Sequence, residues 1–345
     1  MLEHGGKLRH AAQQYNIPLA QWMDLSTGLN PQAWPVCEIP ASAWLRLPEE
    51  EDGLSEIAGQ YYGAENCLAI AGSQAAIQTL PQLYAKQKNH YRVGLLAPAY
   101  AEHAHAWQQA GFNSVALSIN NIETHLDQID ILLIVNPNNP TGHLFSPTQL
   151  LEWHQQLASR GGSLIVDEAF MDATPKNSLA AYSHHEKLIV LRSMGKFFGL
   201  AGARVGFVLA AKNTLNQLAD ILGPWPISGA SRIIALAALQ DVKWHQHSRR
   251  YLQQQGQQLH DLLSKQGLTP TGGTALFQWL QTPQAASIHQ QFAKQGILTR
   301  LFSEPISLRF GLPANDTQWQ RLELALLQLS DNDTGSATPI RFARQ

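Results

Sequence analysis

The stretch Ser193-Met194-Gly195-Lys196-Phe197-Phe198-Gly199-Leu200-Ala201-Gly202-Ala203-Arg204-Val205-Gly206-Phe207 constrains this chain more than any other. An apolar run at 188–191 leads into it and another at 205–209 closes it, and each reads as a buried strand. One lysine is therefore held between two core strands, among small and aromatic residues. Ser193 stands three positions before it and Arg204 eight after. In apolar surroundings the charged form of an amine loses its solvation, so its pKa falls and it becomes nucleophilic. A hydroxyl and a guanidinium fork are the groups that grip a phosphate monoester.

A nucleophilic amine beside a phosphate grip points to pyridoxal phosphate (PLP), held on Lys196 as a Schiff base. Two other readings compete. Most lysines after a strand are solvated loop residues. Ser193-x-x-Lys196 also matches the Ser-x-x-Lys of β-lactamases, which need Ser-Asp-Asn and Lys-Thr-Gly downstream. Here Ser330-Asp331-Asn332 opens a polar tail, and the chain has no Lys-Thr-Gly.

Composition removes several classes of partner. With 14% charged residues and a formal net charge of −2, there is no footprint for nucleic acid or an anionic membrane. Cys37 and Cys67 form neither a Cys-x-x-Cys pair nor a disulfide framework. The N-terminal Met-Leu-Glu-His-Gly-Gly-Lys lacks the apolar segment of a secretory signal. No apolar run approaches the roughly 20 residues of a membrane span. The expectation is a soluble, cytoplasmic protein. The pairs His103/His105, His184/His185 and His245/His247 fall in polar contexts and read as solvated faces rather than metal ligands.

In chain order, residues 1–44 form an irregular arm with a short helix over 7–15 and a turn at Gly28 and Asn30-Pro31. By itself His4-Gly5-Gly6 reads as a frayed terminus. A helix over 53–62 precedes the strand 67–71. That strand runs into Gly72-Ser73-Gln74, which opens the next helix, the geometry of an anion site. The strand over 92–97 ends near Tyr100, a residue able to stack on a flat ring. The strand over 129–135 ends in the rigid loop Asn136-Pro137-Asn138-Asn139-Pro140-Thr141-Gly142. The strand over 162–166 ends in Asp167-Glu168-Ala169-Phe170. A buried acid there requires a partner, for which a pyridinium nitrogen is suitable. Apolar strands alternating with helices predict an α/β fold with a mostly parallel sheet, its ligand residues at strand carboxyl ends. After Gly223-Pro224-Trp225-Pro226 the pattern becomes α+β: a Gln-rich helical stretch over 228–265 with a break, strands over 275–280, 296–302 and 307–310, and a closing helix over 319–329. The expected division is an arm (1–44), a large domain (45–223), a small domain (224–330) and a polar tail (331–345).

Asn-Pro-Asn-Asn-Pro-Thr-Gly, Asp-Glu-Ala-Phe, Ser-x-x-Lys with its following arginine, and Ser307-Leu308-Arg309-Phe310 occur in order along nearly the whole chain. Together they resemble fold-type I PLP enzymes of the aspartate aminotransferase superfamily. His4-Gly5-Gly6, the segment 25–31 and Asp167-Glu168-Ala169-Phe170 are most similar to the threonine-phosphate decarboxylase family of cobalamin biosynthesis. Histidinol-phosphate aminotransferases are its close relatives. The resemblance implies that Lys196 is the Schiff-base lysine and that Asp167 keeps the pyridine nitrogen protonated. It implies that Asn139 bonds the cofactor's phenolic oxygen, that Tyr100 stacks on the ring, and that Gly72, Ser73, Gln74, Ser193 and Arg204 bind its phosphate. Tyr62, or in its place Tyr61, is implied to reach the cofactor phosphate of a second subunit, in a homodimer with shared sites. Arg309 is implied to fork onto the substrate α-carboxylate, with Asn139, His4, Gly5, Asn30 and Arg300 also binding substrate, His4 and Arg300 near its phosphate. The implied reaction is decarboxylation of L-threonine O-3-phosphate to (R)-1-amino-2-propanol O-2-phosphate, with transamination of histidinol phosphate or a related amino acid as the alternative. Both chemistries use the same residues, and they differ in which bond to Cα is held perpendicular to the cofactor ring.

One residue departs from the superfamily pattern. Phe170 stands where most of these aminotransferases have a tyrosine that donates to the phenolic oxygen. With one donor fewer, that oxygen remains the stronger partner of the imine proton. Titration of the bound cofactor's visible absorbance is expected to give a higher pKa in the wild type than in Phe170→Tyr; an equal or lower value removes this account.

Overall fold

The computed structural model describes residues 4–87 and 90–334. Its strands, in chain order, are β1 (Met23–Asp24), β2 (Cys67–Ile70), β3 (Val93–Leu96), β4 (Ser114–Leu117), β5 (Ile131–Val135), β6 (Ser163–Asp167), β7 (Leu188–Ser193), β8 (Gly206–Ala210), β9 (Gly272–Thr274), β10 (Phe277–Gln281), β11 (Ile297–Leu298), β12 (Arg300–Ser303) and β13 (Ile306–Gly311). Seven of them form one sheet in the order β2-β8-β7-β6-β5-β3-β4. All run parallel except β8, which is antiparallel to both neighbours.

The sequence explains this sheet directly. β5 through β8 are buried at every position, as strands covered on both faces must be. Successive side chains point to opposite faces. Leu132, Ile134, Leu164, Val166 and Val190 accordingly enter one core. Ile131, Leu133, Ile165, Ile189 and Leu191 enter the other, against the helices Ser73–Gln87 and Lys212–Leu222. The reversal at β8 places the lysine segment. Ser193 pairs with Gly206 on the last rung between β7 and β8, so residues 194–205 loop out at the carboxyl end of the parallel strands. Gly206 is required there, because a Cβ would sit 2.6 Å from the Ser73 nitrogen and 2.7 Å from the Arg192 carbonyl oxygen.

The second sheet has the order β12-β13-β10-β9, all antiparallel. β1 pairs in parallel with β11, which fastens the arm beside this sheet. The helices Gly229–Gln240 and Val242–Lys265 divide at Asp241, whose side chain accepts from the Trp244 amide at 3.0 Å and so starts the second helix.

Several boundaries differ from the sequence reading. β4, at the sheet edge, is an additional strand: its apolar run is only Val115-Ala116-Leu117, and three of its four residues are exposed. The stretch 296–302 divides at Thr299 into β11 and β12, which serve different sheets. β9 is an additional strand made mostly of glycine. The closing helix runs Asp316–Thr334 rather than 319–329. It starts earlier because the Asn315 side chain caps the Gln318 amide at 3.0 Å. Its backbone continues through Ser330-Asp331-Asn332, where a polar tail was expected. The rest of that tail, 335–345, lies outside the described residues.

One buried charge cluster joins β6, β7 and the following loop. Arg192, 2% exposed, donates to Glu168 Oε2 at 2.6 Å and to Asp172 Oδ1 at 2.8 Å. The Tyr61 hydroxyl also donates to Asp172, at 3.0 Å. Replacing Arg192 with leucine leaves two buried carboxylates without their cation. Urea unfolding of the cofactor-free protein is expected to show a loss of about 3–5 kcal/mol; a loss under about 1 kcal/mol would mean that water substitutes for the guanidinium.

Candidate active site

The carboxyl end of the large sheet gathers the motifs. β2 ends at Ile70, and Gly72 turns the chain with φ +73 so that the helix Ser73–Gln87 starts against the cavity. Arg204, itself left-handed at φ 52, lies across this turn, and a Cβ on Gly72 would meet its Nη2 at 2.9 Å. A close backbone approach, a helix N-terminus and a guanidinium thus share one place, with Ser193 beside them. This is an anion cradle. All the cofactor residues implied by the sequence line the cavity except Gly72 and Tyr62.

Asp167, at the end of β6, is 3% exposed. Its Oδ1 accepts from the Ala169 amide at 3.0 Å, and its Oδ2 lies 2.8 Å from His103 Nε2. Tyr100 and His103 are one turn apart at the start of the helix Ala101–Gln109, with ring centroids 6.1 Å apart. The pKa of Lys196 is lowered to about 8, first by burial and then by the Arg309 charge, with Asp167 opposing. Its Nζ lies 5.5 Å from the Phe170 ring centroid. Phe170 meets Phe277 edge-on at 5.2 Å, and Arg309 lies over Phe277 at 5.1 Å. Phe170 therefore offers the site an aromatic face and no donor.

Arg309 on β13 is 7% exposed. Its Nη1 donates to Asn139 Oδ1 and its Nη2 to the Ser26 carbonyl at 2.8 Å. Arg300 on β12 is its partner in register. Arg300 lines a neighbouring cavity of ≈ 240 Å³ shared with His4, Lys7, His10 and His289. His4 sits over the entrance, 6.2 Å from the Tyr100 ring and 2.8 Å from Glu102. The terminus that read as frayed is thus folded onto the site, with Gly6 N donating to Ser26 Oγ at 2.7 Å.

Asn30, Tyr62 and Tyr61 are engaged within the chain, and the reading of two histidines is corrected. Asn30 Nδ2 donates to Phe197 O at 2.8 Å and Ser248 Oγ at 3.2 Å, and its Oδ1 accepts from Gln32 N at 2.9 Å. With its backbone amide bonded to Lys196 O at 2.9 Å, Asn30 braces the lysine loop. The Tyr62 hydroxyl is buried within this chain, and its ring lies under Arg192 at 4.5 Å. The Tyr61 hydroxyl donates to Asp172 and accepts from Arg249 at 3.2 Å. His103 and His245 are not solvated; each is 3% exposed, and His245 Nε2 lies 2.7 Å from Ala238 O. The signal for His103 was its spacing, one helical turn after Tyr100. Ser26 and Glu102 carried no comparable signal.

These residues fit PLP. The cradle suits its phosphate, the buried Asp167 suits a pyridinium, and Lys196 has the depressed pKa of a nucleophilic amine. The lysine also gives a pH dependence. Its folded pKa, about 8, lies below the ordinary 10.5, so the unfolded chain binds more protons between those values and stability rises with pH across that window. Lys196→Met lacks this term. Its stability advantage over the cofactor-free wild type is expected to shrink by about 3 kcal/mol from pH 7.5 to 10.5; a difference that stays flat in parallel urea titrations refutes the depressed pKa.

Comparison with known proteins agrees with the geometry. The family described as aminotransferase class I and II matches residues 51–329. A threonine-phosphate decarboxylase of Pseudomonas aeruginosa is 54% identical over 327 residues, covering 95% of this chain and 98% of that protein. One from a Sinorhizobium species is 37% identical, covering 94% and 98%. Among solved structures, histidinol-phosphate aminotransferase of Sinorhizobium meliloti, in complex with pyridoxal-5'-phosphate, superposes with a TM-score of 0.80 at 18% identity, covering 96% of each chain. L-threonine-O-3-phosphate decarboxylase of Porphyromonas gingivalis gives 0.73 at 18% identity, covering 96% and 98%. At such identity the structures speak for the fold, whereas the sequence matches extend over nearly the full length. The chain belongs to the aminotransferase class I and II family, with fold type I architecture.

Proposed function

We propose that this protein is a PLP-dependent carboxy-lyase that converts L-threonine O-3-phosphate to (R)-1-amino-2-propanol O-2-phosphate in cobalamin biosynthesis. The observation that carries the reading is the cross-strand pairing of Arg300 with Arg309. Like charges directly opposite on a sheet are unfavourable. Burial and the Arg300 charge lower the pKa of Arg309 to about 10. A substrate with an acid at each end would bring a negative charge to each of these two cations. The near-full-length identity to a relative named threonine-phosphate decarboxylase supports the same substrate.

Bound PLP supplies an electron sink for the bond broken at Cα. The protein's part is to hold, exclude and move protons. Gly72, Ser73, Gln74, Ser193 and Arg204 would hold the cofactor phosphate. Tyr100 would stack on the ring, and Asp167, fixed by His103, would keep its nitrogen protonated. Asn139 bonds the phenolic oxygen through Nδ2, since its Oδ1 already accepts from Arg309. Arg309 takes the α-carboxylate, while Arg300, His4 and Gly5 take the distal phosphate. Gripping both ends fixes rotation about the bond to Cα, which decides whether the carboxylate or the hydrogen stands perpendicular to the ring. Lys196 or a water would return a proton to Cα.

A homodimer is part of the proposal. Trp44, Leu45 and Leu47 are 65%, 83% and 65% exposed, and Trp225, 51% exposed, is tied to the neighbouring turn through Glu50. Such a patch is the kind that a second subunit covers. The free Cys37 and Cys67 fit a reducing, cytoplasmic setting. Among the described residues no helix is long and apolar enough to cross a membrane.

The direct test mixes PLP-loaded protein with L-threonine O-3-phosphate in the absence of any keto acid. Catalytic CO₂ release is expected. No CO₂, with conversion of the cofactor to its amine form by histidinol phosphate, would replace decarboxylation with transamination. Arg300→Ala is expected to raise KM for the phosphorylated substrate by at least about tenfold, the loss of one charged contact, with PLP affinity nearly unchanged; an equal loss of PLP would give Arg300 a structural role.

A further inference from the structure

Glu102 lies outside both cavities, yet its carboxylate joins the substrate arm to the cofactor cradle. It is the second residue of the helix Ala101–Gln109, where the helix dipole favours a negative charge. Its Oε1 lies 2.8 Å from His4 Nε2, and its Oε2 accepts from Gln74 Nε2 at 2.7 Å. Gln74 lines the cavity that holds Lys196. The Tyr100 hydroxyl donates weakly to Gln74 Oε1, at 3.5 Å. The Glu102 side chain is 15% exposed and that of His4 43%, so the carboxylate is the sheltered half of the pair. Two residues further along the arm, Gly6 is bonded to Ser26, whose carbonyl accepts from Arg309. Residues 4–6 therefore span the entrance between two pins, one on the helix Ala101–Gln109 and one beside Arg309. Gly5 lies flush between them, since any Cβ there would overlap the Ser26 carbonyl.

We infer that Glu102 is a positioning residue. It pins His4, and with it the arm, over the distal group of the substrate, and it holds the Gln74 amide in the cradle at the same time. This rests on the proposed substrate, because the arm matters to turnover only if a distal phosphate is read there. Glu102 itself lines neither cavity. Its loss should therefore weaken substrate capture rather than slow the chemical step. Glutamine has the shape of glutamate and one acceptor end. It can keep Gln74 and still meet a neutral His4 with its amide, so it should be the milder change.

The test has two arms on the PLP-loaded protein. In the first, without substrate, amide hydrogen exchange is followed at residues 4–7. Glu102→Ala should exchange about tenfold faster than wild type at Gly6, with Glu102→Gln in between. In the second, Glu102→Ala should raise KM for L-threonine O-3-phosphate about tenfold with kcat within about twofold, and adding His4→Ala should cost little more, because the pair acts as a unit. Unchanged arm exchange overturns the pin. Effects of His4→Ala and Glu102→Ala that simply multiply overturn the coupling. A wild-type enzyme that releases no CO₂ from this substrate sinks the proposed function alone, since the exchange arm does not depend on it.

Discussion

A buried ion must have a partner, and this fold meets that demand repeatedly where its parallel strands end. Asp167 faces His103 and Glu168 faces Arg192, although the two acids are adjacent in sequence. Alternation along the chain sends one toward the cavity and the other into the protein. The first is left with a face toward the site; the second is closed off among Arg192, Ser178 and the Leu179 amide. Within that frame the lysine loop can be short of partners, which is what makes its amine reactive. The site thus lies beside a buried cluster in which each charged side chain faces an opposite charge.

The reversal at β8 matters as much as the charges. Because β7 and β8 share a last rung at Ser193 and Gly206, the two ends of the lysine loop are fixed, and Ser193, Lys196 and Arg204 cannot drift apart. Asn30 and Trp34 of the arm hold the loop from outside, through the Lys196 and Phe198 carbonyls at 2.9 Å each. The arm is therefore woven into the catalytic loop as well as laid over its entrance.

Much of this was legible in the sequence, for physical reasons. Strands buried on both faces leave unbroken apolar runs, so β5 to β8 were readable, and the residues that follow them had to lie at one end of the sheet. Exposed or glycine-built strands leave no such mark, which hid β4 and β9. Asn30 illustrates another limit. A polar residue in a turn motif can face a ligand or brace the backbone, and its bonds to Phe197 and Ser248, 167 and 218 residues away, leave no mark in the local sequence. Helix periodicity shows which residues share a face, but not that Arg192 would cover the Tyr62 ring. His103 was hidden because its partner lies 64 residues away in sequence.

The division at Thr299 has a mechanical meaning. Ile297–Leu298 belongs to the arm's small sheet, and Arg300 begins the strand of the other. Leu25 bonds both sides, its amide to Leu298 O at 2.8 Å and its carbonyl to Gly311 N at 2.7 Å. The arm segment 23–26, both arginines and the strands that carry them thus form one stiff lever. If that lever tilts, the grip on the two acidic ends and the covering strap move together, as a jaw does with its teeth.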